Sequence, residues 1–235
     1  MDNLVGRLGR RLKLLTVANP KILKGLQSGY ATAVLHLAPA WSSGRNTCAN
    51  HTTECAEACL YFAGRGAFDK VQQARLNRTQ QFFLNRSQFM DWLLLDVARF
   101  CVNAREAGFE PAVRLNGTSD IRWENEGIMQ DCPHVQFYDY TKIVNRKNLP
   151  PNYHLTFSFS GNNLKECREA LANGMSVAVP FLKGLPATWL GYPVVDGDAD
   201  DLRFLQSAAC VVGLKAKGPL RKLPQSPFLG DNHDV

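Results

Sequence analysis

Residues 153–181 read Y-H-L-T-F-S-F-S-G-N-N-L-K-E-C-R-E-A-L-A-N-G-M-S-V-A-V-P-F, and their reading decides the fold. The first seven (153–159) are rich in β-branched and aromatic residues, as a short strand is. A polar cluster follows, S-F-S-G-N-N, offering Ser158, Ser160, Asn162 and Asn163. Residues 162–173 then read as a helix opened by an Asn cap and stopped before Gly174. The run 175–181 is apolar at nearly every position, as expected of a parallel strand covered on both faces. Strand, polar edge, helix, strand: this is one β/α step.

The same rhythm extends in both directions. Further strands are expected at 31–37, 111–116, 135–140, 192–196 and 209–214. Helices are expected over 68–82 and 87–107. The second of these has Ser87 as its cap, a Phe89-Leu93-Val97-Phe100 stripe and a stop at Gly108. Around seven such steps imply an α/β fold of mostly parallel strands, a (β/α) barrel or partial barrel, with an open doubly wound sheet as the alternative. The 235 residues with 45% apolar content suit a single domain, 1–235. Within it we distinguish a basic N-terminal segment (1–28), a cysteine loop (40–66) and a Pro-rich tail (223–235).

In parallel β/α folds reactive groups collect at the carboxyl ends of the strands. Here those ends carry Arg114, Asn116, Thr118 and Asp120 after the second strand, and Asp139, Tyr140, Thr141 and Lys142 after the third. Asp196 and Asp198 follow the sixth, and Lys215 and Lys217 the seventh. Any one such cluster reads equally as a polar loop. Five at one edge, opposite plain turns, read as a site. Asp120, Asp139 and Lys142 are the candidate catalytic groups; Asn116, Thr118, Ser158, Asn162, Lys215 and Lys217 are candidate ligands of a substrate or cofactor. The stretch D-G-D-A-D-D (196–201) lacks the closing Glu of a calcium loop.

After the first strand comes T-C-A-N-H-T-T-E-C-A-E-A-C (47–59), spaced C-x6-C-x3-C. The N-terminal stretch does not read as a secretion signal, and the chain is too long to need stapling. A reducing cytoplasm is therefore expected, where clustered cysteines serve metals or redox chemistry rather than disulfides. The seven cysteines offer no paired C-x2-C modules for a structural zinc. Cys48, Cys55 and Cys59 suit a [4Fe–4S] cluster with one iron open to a ligand. A zinc site completed by His51 or water, and inert thiols, stand as alternatives.

The net charge of +6 draws on Arg7, Arg10, Arg11, Lys13, Lys21 and Lys24, against Asp2 alone, and on the run K-A-K-G-P-L-R-K (215–222). These basic ends fit a small anionic substrate or cofactor. The alternative is a nucleic-acid-binding or host-interaction protein with a structural metal, or a zinc-dependent hydrolase; nucleic acid is less favoured because no recognition motif accompanies the basic ends. No apolar run is long enough to span a bilayer, and no membrane association is expected.

A three-cysteine loop after the first strand of a (β/α) barrel resembles radical S-adenosylmethionine enzymes, which implies S-adenosylmethionine on the open iron. The usual C-x3-C-x2-C spacing and the Gly-Gly-Glu motif are not present here. A closer resemblance spans nearly the whole chain. The runs P-A-W-S-S-G-R-N-T-C, C-L-Y-F-A-G-R-G, V-R-L-N-G-T-S-D-I-R-W-E, Q-F-Y-D-Y-T-K, P-P-N-Y-H-L-T-F-S and V-V-G-L-K-A-K-G are similar to bacteriophage proteins known as gene product 88. This implies a phage-encoded protein in the host cytoplasm that holds an iron–sulfur cluster.

Overall fold

The computed structural model describes residues 11–17, 24–206 and 209–233. Arg7, Arg10 and Lys21 of the basic segment lie outside them. In chain order the elements are β1 (Leu15–Thr16), β2 (Tyr30–Leu35), α1 (Thr53–Glu57), α2 (Asp69–Leu84), α3 (Arg86–Glu106) and β3 (Glu110–Arg114). Then come α4 (Ile128–Asp131), β4 (Gln136–Thr141), β5 (Tyr153–Ser158), α5 (Leu164–Ala172), β6 (Val177–Phe181), β7 (Thr188–Trp189), β8 (Tyr192–Asp196) and β9 (Val211–Lys215). Each strand expected from the sequence is present within two residues. The cap of α3 is Asn85 rather than Ser87: its carboxamide oxygen accepts the Gln88 N–H. Asn163 does precede α5, but its side chain serves the preceding loop, accepting the Ser160 N–H and donating to the Ser158 carbonyl.

The strands form a nine-stranded sheet in the order β1-β2-β3-β4-β5-β6-β9-β8-β7. From β2 to β8 every neighbouring pair is parallel, while β1 and β7 pair antiparallel at the two edges. The sheet is open, so a closed barrel is not what forms. The departure lies after β6. There the chain makes the β7–β8 hairpin and only then returns as β9, between β6 and β8. That hairpin ends the sheet where a barrel would continue round to β2.

Strands β2 to β6 lie in sequence order, and right-handed crossovers then place their helices on one face. Odd-numbered positions point that way. Ala33, Leu35, Val113, Leu115, Phe137 and Leu155 pack against Phe82, Phe89, Leu93 and Val97 of α2 and α3. Phe157, Val177, Val179, Phe181 and Val211 pack against Cys167 and Leu171 of α5. Even-numbered positions face the other way. Tyr140, Ala178, Val212 and Leu214 gather there with Val195 of β8. At the amino end of this second face, the Phe204 ring lies 5.1 Å from Tyr30 and 5.5 Å from Tyr138. At the carboxyl end, the face is left to the cysteine loop and a cavity.

The Pro-rich tail is folded against the sheet. Leu229 is fully buried, and the Asp231 carboxylate accepts the N–H groups of Leu182 and Lys183. Gly230 lies where a Cβ would stand 2.5 Å from the Phe181 ring, so only glycine lets the tail approach so closely.

Candidate functional site: a cysteine-lined cavity

The excursion between β2 and α2 is pinned at both ends. Thr79 of α2 accepts the Ala38 N–H and Thr47 donates to the Ala38 carbonyl, which fixes where the loop begins. Asp120 N–H then donates to the Thr47 carbonyl at 2.8 Å, and Cys48 and Asp120 form a parallel bridge. Asn50 donates to the Lys142 carbonyl at 3.0 Å, after β4. Thr52 caps α1 by accepting the Cys55 N–H, and its hydroxyl donates to the Ser160 carbonyl, after β5. The loop thus stands across the carboxyl ends of β3, β4 and β5.

Beneath it is a cavity of about 290 Å³, close to the lower end of small-molecule sites. Cys48, Cys55 and Cys59 all line it, and all three are free and half-buried. The Cys59 Sγ accepts the Tyr61 N–H at 3.5 Å, and the Cys48 Sγ lies 3.8 Å from both the Thr47 hydroxyl and the Thr118 carbonyl. Burial pushes the Cys59 thiol up to about 11, with the neighbouring Cys55 and Cys48 adding to the effect, and burial raises Cys48 too. Lys142 stands among them. Burial opposes its charge, yet Cys55, Asp120 and Cys48 hold its pKa above the ordinary lysine value.

The thiols therefore share a cavity and sense one another. Among the described residues no group of three or more His, Cys, Asp or Glu side chains converges on one metal ion. The three sulfurs line one cavity, with the Tyr61 N–H donating to Cys59 and the Lys142 ammonium among them, and these cysteines are the residues that could hold a cofactor there.

Of the residues expected at the site, Asn116, Thr118, Asp120, Lys142, Ser158, Lys215 and Lys217 do line the cavity. Asn162 and Asp139 do not. Asn162 is exposed on the α5 side of the loop. Asp139 has the opposite parity to Tyr138, Tyr140 and Lys142, so β4 turns it toward the helices. There it is 1% exposed and accepts the Asn116 N–H at 2.7 Å and the Tyr153 hydroxyl at 2.9 Å. Burial pushes its carboxyl up to about 7, opposed chiefly by Arg114. Asp120 is also committed, accepting from the Thr141 hydroxyl and the Lys142 N–H. Asn116 braces the turn after β3, through bonds to Ser119, Ile121 and Trp123. In the D-G-D-A-D-D stretch, Asp196 accepts the Asp198 N–H, while Asp198 accepts the Lys215 N–H and pairs with Lys217. It is a turn brace.

The sequence names Arg114 and Tyr140 at the strand ends and holds Asp201 in the D-G-D-A-D-D stretch, but gives them no role together. Arg114 pairs with Asp201 at 2.9 Å, its guanidinium lies 4.5 Å from the Tyr140 ring centre, and the Tyr140 hydroxyl donates to Asp201 at 2.9 Å. Strand parity signals this: Arg114 and Tyr140 share the face of Asn116 and Lys142. The basic run 215–222 also belongs here, since Lys215, Lys217 and Leu220 form part of the rim.

No curated protein and no solved structure matches the chain. Over residues 12–228 the sequence matches the family described as Gene product 88, and the chain belongs to that bacteriophage gene-product family.

Proposed function

We propose that this protein holds a [4Fe–4S] cluster through Cys48, Cys55 and Cys59 and acts in redox or radical-type chemistry on a small anionic ligand bound beside it. One observation carries the reading: three thiols from the loop after the first parallel strand line the same cavity as the polar carboxyl edge of the sheet. Three thiolates leave one iron without a protein ligand, and such an iron can bind and activate a small molecule, S-adenosylmethionine being the candidate. Sequential parallel strands β2 to β6, with α2, α3 and α5 packed on one face, support the likeness to radical S-adenosylmethionine enzymes, whose barrels are also built from consecutive β/α steps.

The chain's own residues would do the rest. Four cations (Arg114, Lys142, Lys215 and Lys217) line the cavity against two carboxylates, Asp120 and Asp201, and this favours an anionic occupant. Arg114 is held in place by Asp201 and presents its planar face to Tyr140. Lys142 interacts with Cys55 and Cys48 and would receive a carboxylate or phosphate oxygen. Phe159, Pro180, Leu214 and Phe228 form an apolar wall that limits water.

Anaerobic reconstitution with iron and sulfide tests this. The expected product is brown, with about four irons and four sulfides per chain, and Cys→Ala at the three positions abolishes it. A protein that stays colourless, or that loads equally without the three cysteines, rejects the reading. If zinc is the native metal, analysis of anaerobically purified protein will show it instead of iron.

A further inference from the structure

Behind the cysteine loop lies Arg75, on α2, with 7% of its surface exposed. Its Nε and Nη1 atoms are buried and have no hydrogen-bond partner. The guanidinium stands 5.4 Å from the centre of the Tyr61 ring. The turn 64–67 closes over it so tightly that a Cβ on Gly66 would lie 3.4 Å from Nη1 and 2.8 Å from the Leu60 carbonyl oxygen. Among the described residues no carboxylate forms an ion pair with it. The groups that favour its charge are Cys59 and Tyr61, both neutral as thiol and phenol. Its other charged neighbours are cations or respond as bases. Arg78 feels its repulsion, and burial, followed by Arg75, Arg114 and Arg78, drives the His36 imidazole down to about 3.

A buried cation with no counter-charge is costly, by several kcal/mol before compensation. Among the described residues the other two buried arginines have a carboxylate, Arg146 with Glu124 and Arg203 with Asp200, as does the half-buried Arg114 with Asp201. Arg75 instead has a cysteine beside it that belongs to the loop proposed to hold a cluster. Thiolate-ligated iron–sulfur clusters are net anionic, and more so when reduced.

We infer that Arg75 is the built-in counter-ion of the anionic group bound by Cys48, Cys55 and Cys59; the inference rests on the cluster reading above. Arg75 is a positioning residue, acting across the Cys59 turn without ligating. Two consequences follow. The apoprotein carries an uncompensated charge that loading relieves, so loading and folding reinforce each other. The positive charge also favours the reduced, more negative cluster and so raises its reduction potential.

The test uses full-length wild type, Arg75→Met and Arg75→Lys, each prepared as apoprotein and after anaerobic reconstitution. Urea unfolding of both forms and a redox titration of the loaded form are measured. Arg75→Met is expected to be at least as stable as wild type without the cluster and less stable with it. Its midpoint potential should fall by about 59 mV, a tenfold loss in the equilibrium constant of a one-electron couple. Arg75→Lys should recover part of that shift. A merely structural arginine would weaken both forms alike and leave the potential where it was. Either result overturns the inference, as does an Arg75→Met apoprotein that cannot fold. If wild type takes up no iron and sulfide, the cluster reading fails instead.

Discussion

Replacing Asn116 by Ala separates a structural role from a ligand-binding one. Asn116 is 2% exposed. Its Oδ1 accepts three hydrogen bonds, from the Ser119 hydroxyl at 2.9 Å, the Ile121 N–H at 2.9 Å and the Trp123 Nε1–H at 3.0 Å. Its Nδ2 donates to the Ile121 carbonyl at 2.9 Å and to Asp139 at 3.4 Å. Alanine strands at least two donors, one half-buried and one fully buried. The Ile121 N–H is fixed by the backbone, and the Trp123 indole is fully buried, whereas the Ser119 hydroxyl can rotate. At about 1–3 kcal/mol for each unsatisfied donor, the loss is about 2–6 kcal/mol. In a chain of this size each kcal/mol moves the melting temperature by about 2–4 °C, so a loss of about 4 kcal/mol lowers it by about 8–16 °C. Urea unfolding followed by tryptophan fluorescence measures this, with Trp123 as a reporter at the perturbed turn. A loss below about 1 kcal/mol would show that the turn does not depend on the carboxamide, which would leave Asn116 available as a ligand in the cavity it lines.

Asp139→Asn should change how stability depends on pH. Burial raises the folded carboxyl to about 7, so the native state keeps a proton that the unfolded chain releases near pH 4. Its stabilising contribution is complete below that pH and is lost as pH rises through 7. The asparagine variant lacks this slope, and parallel urea-midpoint curves for the two proteins between pH 4 and 8 would contradict the placement of Asp139. Gly117→Ala places a Cβ 2.7 Å from the Leu35 carbonyl oxygen, His36 and Val34; a destabilisation of about 1–3 kcal/mol is expected by thermal melting. Thr52→Ala removes the cap of α1 and the tie to Ser160. It should cost about 1 kcal/mol in urea unfolding and, on the cluster proposal, speed the loss of iron from the reconstituted protein to a chelator; an unchanged chelation rate would mean that the cap does not hold the loop.

The strands were legible because buried parallel strands leave runs of Val, Ala, Phe and Thr that no other element needs. Openness was not legible, because it depends on β9 entering between β6 and β8, a choice between pairings that local pattern does not encode. The docking of the Pro-rich tail was not legible for a different reason: its prolines mark irregular backbone, and the surface that Phe228 and Leu229 pack against is not encoded in the local sequence. The site was half legible. Polar residues at strand ends do gather there, but period-two alternation assigns them to opposite faces. Applying it to β4 separates Lys142, in the cavity, from Asp139, among the helices, with no structure in hand.

The cysteine spacing gains its meaning from the same geometry. A compact motif such as C-x3-C-x2-C sets its ligand positions by its own turn. Here the C-x6-C-x3-C loop is held by a bridge at Asp120, a side-chain bond to the Lys142 carbonyl and a hydroxyl bond to the Ser160 carbonyl. Those three anchors belong to three successive strand ends, so the scaffold decides where Cys48 and Cys55 stand, and the Tyr61 N–H and the Gly66 turn decide Cys59. Spacing in the sequence is then free to drift, provided the anchors remain. On the cluster proposal, loosening an anchor by Asn50→Ala or Thr52→Ala should therefore speed the loss of iron from the reconstituted protein although all three cysteines remain, an effect that a self-contained motif would not show.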